Sequence, residues 1–210
     1  MEKRNSDSSF FVVVHGILRD VLVLPLLMVI LSSGCATRVI PPARPVDAVK
    51  VYLTDYGKHS SIVLPAPAGG YEEYAFGDWD YFALGNTALP VALRALAGSP
   101  QSTIGRRHVP EPSDGGTLQS ILGANRLEEF DASQSLVEML GNELDARFRH
   151  DGDSAFHSDY SGLDHVRDQE HYWAGNNCNH VTAAWLRQLG CEIRGPAIFS
   201  NFLVAPPSHD

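Results

Sequence analysis

The sequence predicts an α+β domain in which an antiparallel sheet carries packed helices. Three short β-type runs follow one another between residues 49 and 76, separated by turns, which is the order of a meander. Two later stretches, Ser133–Phe148 and Val181–Leu189, space their apolar residues at helical intervals. No period of roughly 20–50 residues recurs, so a solenoid is not expected.

The elements follow in order. Val49, Val51 and Leu53 alternate with Lys50, Tyr52 and Thr54, giving the first strand. Asp55 to Lys58 is a turn. His59 to Leu64 is the second strand, stopped by Pro65 and a Pro/Gly-rich loop to residue 70. Tyr71 to Phe76 is the third and ends at Gly77-Asp78. Residues 90–97 read as an apolar helix closed by Gly98-Ser99-Pro100, and Thr103 to Val109 as a fourth strand. A short helix over 117–125 and a strand over 127–130 come next. The amphipathic helix from Ser133 then places Leu136, Met139, Leu140, Leu144 and Phe148 on one face. Residues 149–171 are polar and read as a long loop that walls the site.

The N-terminus reads as a targeting segment. An apolar run from Val21 to Leu31 precedes Ser32-Ser33-Gly34-Cys35, the pattern of a bacterial lipoprotein signal with lipid on Cys35. A membrane-spanning anchor and a cleaved secretory signal are the competing readings. The expected division is a signal over 1–35, an extended tether over 36–46 with Pro41, Pro42 and Pro45, and one domain over 47–210. Residue Ala36 after the cysteine resembles lipoproteins sent on to the outer membrane, facing the periplasm. The expected partner is therefore a membrane, reached through Cys35.

Composition is ordinary for a globular chain of 210 residues, with 44% apolar and 20% charged. The formal charge of −9 argues against nucleic acid as a partner. Five histidines cluster near the last helix, His150, His157, His165, His171 and His180, and most are expected in solvated loop. They meet no metal-ligand spacing, and no glycine-rich phosphate loop is present, so neither metal nor cofactor is expected.

Chemistry concentrates at Gly175 to Gly190. A polar loop ends in Cys178 and a helix begins there, with Asn176, Asn177 or Asn179 as its cap. Unpaired N–H groups and the helix dipole at such a position favour a thiolate. A disulfide to Cys191 is excluded by reach, because 13 residues of mostly helix separate the two by on the order of 18–20 Å. Cys178 is thus a free thiol outside the cytoplasm, and Cys191 a packing residue. A thiol nucleophile needs a base. His59, opening the second strand, can supply it.

Three blocks of the chain resemble an uncharacterised bacterial family, domain of unknown function 2459: His59 to Pro65, Glu73 to Asp78, and Asn177-Cys178-Asn179 with the helix to Gly190. Departures are Asn177 and His180, where that family usually has Thr, and Ala75-Phe76 in place of Gly-Trp. The order of His before Cys, and the segment Asn177 to His180, are also similar to circularly permuted papain-like enzymes related to NlpC-like peptidases and lecithin retinol acyltransferase. That resemblance implies a permuted papain-like fold, Cys178 as nucleophile and His59 as base. It implies a carboxylate after the His59 strand as orienting group, Glu73 before Asp78. Strand alternation puts Glu73 on the face opposite Tyr74 and Phe76, the more open side, and Asp78 in a wetter turn.

The function expected is a cell-envelope thiol hydrolase or acyltransferase acting on an amide or ester, with a peptidoglycan peptide or a lipid as substrate. The alternative is a non-catalytic binding or scaffold lipoprotein on the same frame, with aromatics such as Tyr71, Tyr74 and Trp79 lining a recognition groove.

Overall fold

The computed structural model describes residues 36–113 and 115–207. The signal segment and Cys35 lie outside the described residues. Among the described residues, ten strands and four α-helices follow in order: β1 (Thr37–Ile40), β2 (Ala48–Asp55), β3 (Ser60–Pro65), β4 (Tyr71–Asp78), α1 (Leu89–Gly98), β5 (Ser102–Val109), α2 (Leu118–Leu122), β6 (Arg126–Ser133), α3 (Gln134–His150), β7 (Phe156–Ser158), β8 (Leu163–Arg167), α4 (Cys178–Gln188), β9 (Glu192–Arg194) and β10 (Phe202–Val204). A π-helical turn, Trp79–Ala83, follows β4 directly.

Seven strands make one sheet in the order β6-β2-β3-β4-β5-β8-β7, antiparallel throughout. The meander read from alternation is its centre, β2-β3-β4-β5. One face carries Val51, Leu53, Ile62, Leu64, Tyr74, Phe76 and Ile104, and on it lie Leu140, Leu144 and Phe148 of α3 with Val181, Trp185 and Leu186 of α4. Each such buried side chain contributes roughly 1.5–3 kcal/mol, so this face dominates stability. Tyr74 reaches through it to donate to the Asp145 carboxylate of α3 at 2.8 Å. The α3 stripe differs by one residue from expectation. Val137 is buried, whereas Met139 is 68% exposed.

The opposite face is covered more thinly. Helix α2 caps one part, with Leu118 and Leu122 against Val63 and Val109. A reciprocal Thr117–Ser120 capping box starts α2, and Gly123 at φ 70° ends it, where only glycine avoids strain. Phe82 of the π-turn and Leu163 cover Ala75 at the other part.

Two segments expected to lack structure are part of the fold. Polar residues 149–171 contain β7 and β8, and β8 pairs with β5 through Gly105↔His165. Strand β7 is the sheet edge, where little apolar alternation is needed, and β8 lies between it and β5. The expected tether contains β1, with Val39 fully buried. Strand β1 pairs antiparallel with β9 and parallel with β10, a second sheet of three strands.

Candidate functional site

The C-terminal end of β4 and the start of β3 lie side by side, and the N-terminus of α4 meets them. Asn177 is the cap: its Oδ1 accepts from the N–H groups of Asn179 and His180. The helix is pinned to β3 by Ser60 Oγ, which donates to Asn179 Oδ1 at 2.9 Å. Cys178 therefore stands beside the backbone of Ser60, one residue after His59.

Cys178, His59, Asp78 and Tyr172 all line one cavity of about 570 Å³. Cys178 is 6% exposed, and burial pushes its thiol up to about 11. Sequence reasoning expected the opposite, a thiol lowered by the helix start. The donors are present: the N–H groups of Ser60, Asn179 and Cys178 and the Tyr172 hydroxyl all favour the anion. Removal from water outweighs them.

His59 is neutral for the same reason, its pKa held at about 3 by burial and then by the nearby His165. Its ring stacks on Phe82 with centroids 4.1 Å apart. Phe82 in turn meets the His165 ring edge-on at 5.1 Å. Glycines make room for this stack. A Cβ on Gly77 would lie 2.5 Å from Phe82, and one on Gly105 would lie 2.8 Å from His165. The His59 Nε2 is shut off from solvent and has no hydrogen-bond partner. The thiol is therefore not bonded to that nitrogen.

Glu73 does not orient His59. Its carboxylate accepts from Tyr56 at 2.7 Å, from Ser61, and from Arg107 Nε at 2.5 Å. The expected face is correct, but Glu73 is 1% exposed rather than open. Arg107 lies directly opposite it on β5 and claims it. Burial works against the Arg107 cation, but Glu73 and Tyr56 hold its pKa above the ordinary value. Asp78 is also not the wet turn residue expected. It is 2% exposed, and its Oδ1 accepts from Tyr81 N–H at 2.8 Å to cap the π-turn. Its Oδ2 is buried without a partner.

Two side chains of this region escaped sequence reasoning. Tyr172 contacts both the N–H and the thiol of Cys178, and burial, its largest influence, raises its pKa so that it stays a donor. Its position six residues before the cysteine, in an aromatic pair with Trp173, was the available signal. His165 was expected in solvated loop but is fully buried on β8. Its Nδ1 lies 3.1 Å from Thr103 Oγ1 and its Nε2 2.7 Å from Ser161 Oγ. Burial lowers its pKa to about 4. Nothing in the polar stretch around it marked a strand.

No protein-family profile, no curated protein and no solved structure matches this chain.

Proposed function

We propose that this chain is a cell-envelope thiol hydrolase or acyltransferase on a permuted papain-like frame, with Cys178 as nucleophile and His59 as base. One observation carries the reading. Two polar atoms, His59 Nε2 and Asp78 Oδ2, are buried without partners among residues lining the cavity that Cys178 also lines. Orphaned buried polar atoms are rare and destabilising by about 1–3 kcal/mol each, so they point to a group that the site receives.

The resting pair is a neutral thiol and a neutral imidazole. Proton transfer accompanies attack rather than preceding it. The sulfur bonds the acyl carbon as the carbonyl π pair moves onto oxygen, and when the carbonyl re-forms the bond to the leaving oxygen or nitrogen breaks. The thiol proton passes to His59 Nε2 and on to the leaving atom. Tyr172 and the Cys178 N–H donate to the oxyanion. Water, or an acceptor hydroxyl or amine, then cleaves the thioester and returns a proton to sulfur. Asp78 takes the third role in place of Glu73, because it alone of the two keeps an uncommitted oxygen. Lipid on Cys35 would hold the domain at the periplasmic side of the outer membrane.

The test is trapping. An activated ester should leave a hydroxylamine-sensitive acyl group on Cys178, absent from Cys178→Ala. A chain that binds such esters reversibly and never acylates is instead a binding module, the reading that a thiol near 11 favours.

A further inference from the structure

A second cavity, of about 280 Å³, is also lined by Cys178 and Tyr172. Its wall is Ala92, Ala95 and Leu96 of α1 with Ile198 and Phe199 from the β9–β10 connection. We propose that this cavity holds the chain of a long-chain fatty acyl ester whose carbonyl lies at Cys178. The inference rests on the acyl-transfer reading above and names its substrate class.

Lys58 and Tyr81 line the cavity too, but the polar side chains contributed by α4, its cap and the 198–200 segment, Asn177, Asn179 and Ser200, argue against a peptide. Asn177 Oδ1 is used by the helix N–H groups, and its Nδ2 donates to the Ala174 carbonyl at 3.4 Å. Asn179 accepts from Ser60, and its Nδ2 donates to the Ile198 carbonyl at 2.9 Å. Ser200 Oγ donates to the Gly57 carbonyl at 2.9 Å. These side chains are spent on the protein itself. A peptide backbone entering here would lose its hydrogen bonds to water and regain few. A hydrocarbon chain loses none. The same bonds fasten the 198–200 segment beside α4, so the slot is preformed.

Helix α1 continues the wall outward. Leu89, Leu93 and Leu96 fall on one stripe, yet they are 70%, 58% and 45% exposed. The helix is held by Ala95, buried on another side, and by the Arg94–Asp80 ion pair. A stripe of leucine normally faces a core. This one runs from open surface to a cavity at a thiol, and Ile198 and Phe199, 47% and 48% exposed, flank that cavity. Such a path suits a chain that leaves a bilayer and ends at the sulfur. The chain's own course supports the source. Ala197 N–H donates to Thr37 Oγ1 at 3.0 Å, and Thr37 is two residues from Cys35, the proposed lipid site.

The experiment uses the full chain in vesicles of phosphatidylethanolamine and phosphatidylglycerol, with a palmitoyl ester bearing a photoreactive diazirine at its tail. Cross-links mapped by mass spectrometry should fall on Leu96, Ile198 or Phe199, in wild type and Cys178→Ala alike. Unlabelled palmitoyl ester should compete. Ala92→Trp should cut the yield at least about tenfold by filling the slot. Phe199→Ser, a surface change that keeps the fold, should also lower it. Cross-links elsewhere, yields unchanged in both variants, or displacement by a stem peptide instead would overturn the proposal. The same samples are read for thioester at Cys178. Cross-links in place without thioester would sink the thiol chemistry and keep the chain site. Thioester from a short acetyl ester, without these cross-links, would do the reverse.

Discussion

Cys178 opens helix α4 and Cys191 lies just past its end, and both are free and buried. Burial raises both thiols, to about 11 and about 12. Around Cys191 burial is the sole influence, and the residue packs in the main core. Around Cys178 four donors oppose it, and a cavity adjoins. A buried cysteine is thus made chemical not by its depth but by what would receive its charge. At one end of the helix nothing would. At the other the receiving groups are already in place, and only water is missing.

The largest expected effect breaks this comparison at its centre. Cys178→Ala should abolish acylation, while Cys191→Ala should leave it intact, read by mass spectrometry of the trapped ester. Equal loss in both would make the two ends alike.

Acid should come next. His59 and His165 are held neutral, with pKa values near 3 and 4 against an ordinary 6.5. Between those values and 6.5 the unfolded chain binds the extra protons. Stability therefore falls as pH drops through this window, by roughly 1.4 kcal/mol per pH unit for each ring. Denaturant melts from pH 7 to 4 should show it, and His59→Gln should halve the slope. A flat profile would show that neither ring is held neutral.

Glu73→Gln should follow. It leaves Arg107 part-buried beside a neutral amide, for a loss of about 3 kcal/mol, seen as a lower urea midpoint. Asp78→Asn removes no ion pair and should lose about 1 kcal/mol, yet it should slow acylation more than Glu73→Gln does. The opposite ranking of rates would return the orienting role to Glu73.

The smallest effect sharpens the donor argument. Tyr172→Phe deletes one hydroxyl and should slow acylation about tenfold with a melting point nearly unchanged. An unaltered rate would remove Tyr172 from the four donors.

Much of this was legible in the chain. Alternation of Val49, Val51 and Leu53 fixed which face of β2 is core, because one side of the sheet must meet α3. Asn176, Asn177 and Asn179 announced a cap at Cys178, and Asn177 is the one that fills it. What could not be read was competition across strands. The parity of Glu73 was correct, but its fate depends on Arg107, which no local pattern brings opposite it. Strand β7 was hidden because an edge needs few apolar residues, β8 because one of its inward positions is the polar His165, and β1 because Pro41 and Pro42 follow it closely. Thiol acidity was misjudged because helix position is local and desolvation is not.

The pairing of β1 with β10 sets a condition on biosynthesis. Thr37, among the first described residues, takes its place beside Phe202, among the last. Such contacts close the longest loop in the fold and form late. The small sheet cannot assemble until nearly the whole chain has been made. The seven-stranded sheet, complete by Arg167, does not share that dependence, so the small sheet is the last part of the fold to lock. Truncation before Phe202 should leave β1 open to proteolysis at Thr37–Ile40, and protection of that segment in the truncated chain would show that the clasp is dispensable.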